Sequence, residues 1–250
     1  MQFVCQPLTR LVMWNCSGWQ LGEHGEWCKH TNFELATHAP MMIRVPGATD
    51  KGIRSMAYTE HVDLFPTLAE LAASVTIPPC PSGPSQLTTA LCTMGKSLAP
   101  IVHGTSGEVA VASFSQYPRY YVPPNASSAS VHAAQVAQDN GRLSAGKSVS
   151  ACLNGNCTMG YSVITFLHGT EYRYTEWCDF NTKHHRAPDY ERNVGTELYI
   201  VTAAGENKNI AHVPSLAPVV AELSAMLRRG PLTGGGWGPY SEGGQQQEVN

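Results

Sequence analysis

The sequence predicts an α/β protein: the end of a layered α/β core, followed by a small antiparallel sheet with a packed helix. Three observations carry this. Short apolar runs and one periodic helix alternate over the first hundred residues. Two longer strand-like runs then flank a His-Gly-Thr turn. A second periodic helix closes the ordered part. The implied division is 1–105 for the end of the core and 106–230 for the antiparallel subdomain, with an insertion at 125–150 and a disordered tail at 231–250.

The elements follow in order. Thr9 to Trp14 reads as a short buried strand that runs into a Gly-rich loop. In open α/β sheets ligands bind at the carboxyl ends of strands, so this loop stands where chemistry is expected. Met41 to Val45 is a second strand, stopped by Pro46-Gly47. Asp63 is placed to cap a helix with Pro66 in its first turn and Leu64, Phe65, Leu68, Leu71 and Ala72 at helical spacing. Residues 108–116 alternate like a strand. Residues 125–150 are rich in Ala, Ser and Gln and read as a mobile insertion, with a helical turn or two at Val131 to Gln138. Met159 to Leu167 and Glu171 to Cys178 form a hairpin about His168-Gly169-Thr170. Glu197 to Thr202 is a further strand. Ser215 caps a helix with Leu216, Val219, Val220, Leu223, Met226 and Leu227 on one face, complemented by Arg228 and Arg229 and ended by Gly230.

Composition narrows the function classes. A 250-residue chain with 42% hydrophobic and 14% charged residues has enough apolar content for a core. Its net charge of -3 leaves no nucleic-acid footprint. No apolar run is long enough to span a membrane, and the N-terminal residues do not read as a signal peptide. Eight cysteines contain no CxxC pair. The sequons at Asn15, Asn125 and Asn156, with the cysteine pairs Cys80/Cys92 and Cys152/Cys157, favour a secretory or lysosomal route. A secretory chain without a leader reads as the back part of something longer.

The chemistry concentrates in Gly18 to His30, GWQLGEHGEWCKH. This loop, with Thr37-His38-Ala39-Pro40, the helix start Val62 to Leu68 and Gly95-Lys96-Ser97-Leu98, resembles the sulfatase family. Ser115 to Arg119, Met159 to Ser162, Tyr172 to Thr175 and Glu197-Leu198-Tyr199 extend the resemblance in the family's order. It covers roughly residues 9–203 outside the insertion. The resemblance implies an alkaline-phosphatase-like α/β core and a lysosomal or secreted hydrolase of sulfate esters on heparan and dermatan sulfate. In that family a cysteine-derived formylglycine attacks sulfur, and calcium with Lys, Arg and His side chains holds the anionic ester. Lys29 then takes the position of the sulfate-contacting lysine. Trp19, His24, Trp27 and Arg119 become substrate-binding candidates. For His24 the bland reading is a turn hydrogen bond, for Trp19 and Trp27 loop packing, and for Arg119 a buried structural cation.

The chain departs from the family at one critical place. Where the family reads Ser-Asp-His-Gly, this sequence has Asn15-Cys16-Ser17-Gly18. Cys16 and Ser17 replace two residues of the metal and sulfate site, and a hard calcium ion gains little from a thiol or hydroxyl. No calcium is therefore expected on this chain. The Cys-x-Pro-Ser-Arg nucleophile segment is not in these residues. Cys5-Gln6-Pro7-Leu8-Thr9-Arg10 only imitates it, because its Arg stands one residue too far from Pro7. The expected partner set is a sulfated glycosaminoglycan in the full-length protein and a missing N-terminal half, with no nucleic acid and no membrane span.

The resemblance also implies a Cys80–Cys92 bridge. A small Cys152–Cys157 bridge is compatible with a turn but lies outside the resemblance. A Cys/His metal site from Cys28, His30, His184 and His185 is weighed against a solvated loop. The leading reading is a sulfatase portion inactive by itself. The alternative is a non-catalytic, sulfatase-derived module that binds sulfated glycans through Lys29. Few basic residues argue against that alternative, since polyanions are held largely by Lys and Arg charge.

Overall fold

The computed structural model describes residues 10–81, 90–120, 157–179, 190–203 and 205–230. Cys5, the 125–150 insertion, Asn125, Asn156, the Cys152–Cys157 pairing, His184, His185 and the 231–250 tail lie outside the described residues. The chain divides into two compact units: Met1–Gly18 with His38–Ser113, and Trp19–Thr37 with Phe114–Asn250. The Gly-rich loop thus folds with the C-terminal sheet.

In the first unit, β1 (Leu11–Trp14) pairs antiparallel with β4 (Met41–Arg44) in a two-stranded ladder. The expected strand at 9–14 forms, but three of its four residues are exposed rather than buried. Leu11 and Met13 on one face and Trp14 on the other each stay about half exposed. The core of this unit is Val45, Leu71, Ala99 and Val102, with Ile43 and Ala48 packed against it. Helix α2 (Leu64–Ala73) supplies Leu71, and the short α3 (Ala99–Val102) supplies Ala99 and Val102. The helix forms as its periodicity predicts, yet Phe65 and Leu68 point to solvent.

Asp63 occupies the N-cap of α2, but its side chain accepts no N–H from that helix. Its carboxylate instead accepts the backbone N–H groups of Glu60 (2.8 Å) and Lys96 (2.7 Å). That ties the 95–97 loop to the helix entry. Gly95 is required there, because a Cβ would collide with the Val62 backbone. The Cys80–Cys92 disulfide forms, with Cα atoms 4.7 Å apart, beside a bridge between Pro79 and Thr93.

In the second unit, β5 (Ala112–Tyr120), β6 (Cys157–Leu167), β7 (Thr170–Asp179) and β8 (Asn193–Ile200) form a four-stranded sheet in sequence order. β5 and β8 both start some residues away from the runs at 108–116 and 197–202. The β6–β7 hairpin turns on His168 (φ 49°) and Gly169 (φ 83°), two left-handed residues that match the twist of the strands. Helix α4 (Ala217–Arg229) packs on β6 and β7 through fully buried Leu223 and Leu227. Its N-cap is Leu216, one residue beyond Ser215, because Pro214–Leu216 forms a preceding 3₁₀ turn. Buried Glu176 anchors the helix: it accepts from Tyr174 Oη (2.9 Å), Ser224 Oγ (2.6 Å) and Arg228 (3.2 Å). No helix among the described residues is long and apolar enough to cross a membrane.

Candidate functional site

The loop is built from its own backbone first. β2 (Gln20–Leu21) pairs antiparallel with β3 (Trp27–Cys28), and Glu23–Gly25 forms a 3₁₀ turn between them. Gly22 (φ 121°), His24 (φ 58°), Gly25 (φ 70°) and Cys28 (φ 78°) all take positive φ. For His24 and Cys28, which carry a Cβ, this is strained backbone of a kind found at ligand-shaping sites. The Glu23 carboxylate accepts the Leu21 N–H at 2.6 Å, and backbone donors hold it below the ordinary carboxylate value. Gly22 N–H donates to the Glu26 carbonyl at 3.0 Å and closes the turn.

Side chains then fasten the loop to the sheet of its own unit. The Gln20 side-chain amide hydrogen-bonds His24 Nδ1 at 2.8 Å. The His24 ring stacks on Phe33 at 3.9 Å, and Phe33 meets Tyr199 edge-on at 5.5 Å. Buried Asn32 donates to the Gly160 carbonyl (3.0 Å) and accepts from Ser115 Oγ (3.1 Å). Arg119 on β5 pairs with Glu26, reaches Thr31 Oγ1 at 3.4 Å and lies 5.5 Å over the Trp177 ring. Arg173 on β7 is 2% exposed. It bonds Glu206 (2.6 Å), Glu34 and Thr37 (3.1 Å). The second oxygen of Glu206 accepts the Glu34 N–H at 2.6 Å.

These groups enclose a cavity of about 160 Å³, lined chiefly by His24, Glu26, Phe33, Arg119, Trp177 and Glu197. A register shift at Trp177/Cys178 swings the indole across the sheet. Gly160 makes room for it, since a Cβ there would lie 2.7 Å from the ring. Burial pushes the Glu197 carboxyl above its ordinary value, against the lowering effect of the Trp177 hydrogen bond and the nearby Arg119 charge. Burial likewise raises the Tyr199 phenol. Both guanidinium groups lining the cavity are already matched by carboxylates. This cavity is therefore a poor seat for a sulfate, which needs cations not already claimed.

His24 and Arg119 meet at this cavity; Lys29, Trp19 and Trp27 do not line it. Lys29 follows strained Cys28 and is half-buried, and its carbonyl accepts the Thr31 N–H at 3.0 Å. Trp19 and Trp27 are exposed, Trp27 by 66%, while the Trp27 ring keeps one edge within van der Waals reach of Gly22 in the same loop. Glu26, Trp177, Glu34 and Glu206 were not singled out from the sequence. Their partners stand far along the chain (Arg119–Glu26, Arg173–Glu34), and no local pattern marks such pairs.

The Asn15–Gly18 segment, in the first unit, gives the test for calcium. Cys16 Sγ lies 3.9 Å from Ser17 Oγ, and the Asn15 carbonyl accepts from His61 Nε2 at 3.1 Å. The segment offers no carboxylate side chain, only an amide, a thiol and a hydroxyl. Calcium prefers several hard oxygen ligands, so these residues do not fit the ion.

Comparison with known proteins supports kinship with sulfatases. Over 219 aligned residues the chain is 33% identical to human iduronate 2-sulfatase, covering 74% of this chain. Mouse iduronate 2-sulfatase matches to the same extent. The chain carries the C-terminal portion of a sulfatase-family sequence. A sulfatase of the bacterium Formosa agariphila adds 39% identity over 64 residues, 26% of this chain. The chain spans about a third of the length of the curated relatives that it matches, 34% for the human and mouse enzymes. No family model matches the chain. Sulfatase kinship favours an alkaline-phosphatase-like α/β fold, with which these sheets and helices are compatible.

Proposed function

We propose that the chain is the C-terminal, substrate-facing portion of a hydrolase of sulfate esters on glycosaminoglycans. Its 250 residues by themselves do not turn over substrate. The observation that carries the reading is the 33% identity to two iduronate 2-sulfatases over 219 residues. Lys29 is the sulfate-contacting residue in this reading. A fixed ammonium there offsets the repulsion between an anionic ester and an incoming nucleophile. Cys16 and Ser17 stand where the family keeps metal and sulfate ligands, and this supports the lack of turnover. A lysosomal or secretory setting accords with the three sequons and the Cys80–Cys92 bridge.

The test joins this chain to the preceding part of human iduronate 2-sulfatase and measures desulfation of a fluorogenic iduronide 2-sulfate. The joined polypeptide should be silent with Cys16-Ser17 and active in the Cys16→Asp, Ser17→His variant. Adding Lys29→Ala to the active form should lower kcat by roughly 10²-fold or more. A restored variant that stays silent, or one indifferent to Lys29→Ala, defeats the reading.

The substitutions at Cys16 and Ser17 equally favour a second reading, a non-catalytic module that binds sulfated glycans. The carboxylate-matched guanidinium groups and the net charge of -3 weigh against it. Elution from a heparin column at very low salt would remove it.

A further inference from the structure

Lys29 sits in a turn that one face of β5 holds on both sides. Side chains alternate along a strand, so Ser115, Tyr117 and Arg119 share a face, while Gln116 on the other is exposed. That face meets the turn residue by residue. Ser115 Oγ donates to Asn32 Oδ1 at 3.1 Å. The Tyr117 ring lies 5.9 Å from the His30 ring. The Arg119 guanidinium pairs with Glu26 and reaches Thr31 Oγ1 at 3.4 Å. The contacts of Arg119 thus fall three residues before Lys29 and two residues after it. Arg119 is itself tied to the sheet, since Thr158 Oγ1 on β6 donates to its carbonyl at 3.3 Å. Inside the turn, Cys28 keeps φ at 78°, and the Thr31 N–H donates to the Lys29 carbonyl at 3.0 Å. A residue with a Cβ holds such a φ only when its surroundings over-determine it.

We propose that Arg119, supported by Tyr117, is a positioning residue for Lys29. By gripping Glu26 and Thr31 it fixes the backbone from which the Lys29 ammonium reaches a sulfate. The inference rests on the reading of Lys29 given above. A lysine carries its charge on a flexible four-carbon stem. The place of that charge therefore depends on how firmly the base of the stem is held. Arg119 does not bind the ester itself in this assignment, because the Glu26 carboxylate already claims its guanidinium. Nor does it merely fill the sheet, since both polar contacts of the guanidinium go to the turn. The Trp177 ring, 5.5 Å from the guanidinium carbon, keeps the cation over the sheet. Displacing a charged contact by as little as about 1 Å can cost roughly 10²-fold in rate, so a hold of this kind bears on turnover.

The experiment reads Lys29 in two ways. In the 250-residue chain, reductive methylation with carbon-13 formaldehyde labels the lysines for NMR, and Lys29→Arg identifies the Lys29 signal. Arg119→Ala should shift and sharpen that signal as the turn loosens. Thr31→Val keeps the shape and removes the far contact alone, so it should move the signal less, in the same direction. Arg119→Lys keeps a cation facing Glu26 and should restore most of the wild-type position. Arg228→Ala strips a different buried carboxylate, Glu176, in the same unit and should leave the Lys29 signal in place. In the joined polypeptide with Cys16→Asp and Ser17→His, Arg119→Ala should lower kcat by roughly tenfold or more. It should cost nothing further once Lys29→Ala is present, because the two residues act as one unit. If Arg119→Ala does not fold, Thr31→Val and Arg119→Lys decide by the same readouts. A Lys29 signal unmoved by the Arg119 and Thr31 variants overturns the proposal, as does one moved equally by Arg228→Ala. A kcat loss that adds in full to that of Lys29→Ala overturns it too. A joined polypeptide that stays silent defeats the catalytic reading, and the Lys29 signal still decides the positioning.

Discussion

The two units of this chain solve the same problem in opposite ways. In the second unit the loop at 19–37 is sewn to its sheet by polar side chains that are buried or half-buried and matched. Arg119 meets Glu26, Arg173 meets Glu34 and Glu206, and Asn32 reaches Gly160 and Ser115. In the first unit the β1–β4 ladder leaves three large apolar side chains in water on one face. The lesson is that a polar network closes one unit around its loop, whereas the two-stranded ladder of the other keeps apolar side chains in water. The expected experimental effects run from the network, where they are largest, to a single buried carboxyl, where they are smallest.

Arg173→Ala should give the largest loss. Arg173 and Glu206 are each 2% exposed. Removing the cation leaves Glu206 buried without its charge partner and frees Glu34 from the sheet. Breaking such a pair costs about 3–5 kcal/mol. Urea unfolding should show the midpoint falling sharply, with hydrogen exchange rising across 19–37 and β7 before it rises in α2. A variant that unfolds at the wild-type midpoint would show that the network is not what closes this unit.

How much of this was legible beforehand follows from the same contrast. The β6–β7 hairpin, α2 and α4 were readable because local signals agree: Gly169 in the turn, and apolar residues at helical spacing ending at Gly230. The resemblance located Lys29 and the Cys80–Cys92 bridge, and the bridge is present. The exposure of β1 was not legible, because Leu-Val-Met-Trp reads as buried whether or not a covering layer is there. The cavity was legible only in part. His24 and Arg119 stood out in their motifs, but the pairing of Glu26 with Arg119 depends on how a hairpin and a distant strand meet. Asp63 shows the same limit on a smaller scale. Its position before an apolar helix suggests a cap, while its oxygens go to Glu60 and Lys96.

Reduction of Cys80–Cys92 should give an intermediate effect confined to the first unit. The bridge spans 12 residues of sequence. Closing a loop of that size contributes about 3 kcal/mol by constraining the unfolded chain. Cys80→Ser with Cys92→Ser should lower the stability of the first unit by up to that amount. Exchange at α2 and α3 should rise, while the sheet of the second unit keeps its protection. Equal loosening of both units would blur the contrast between them, because it would mean that they unfold as one.

The smallest effect sharpens the contrast from inside the network. Burial raises the Glu197 carboxyl above its ordinary value. A carboxyl with a raised folded value binds a proton more readily folded than unfolded. Its stabilising contribution is complete below the unfolded value and is lost as pH rises through the folded one. Stability should thus increase as pH falls from neutral toward the ordinary carboxylate range. Glu197→Gln should flatten that rise, and it should make the protein more stable than wild type at neutral pH. Thermal unfolding between neutral pH and the ordinary carboxylate range checks both expectations for Glu197. A Glu197→Gln profile that parallels wild type would remove Glu197 as the source of the rise.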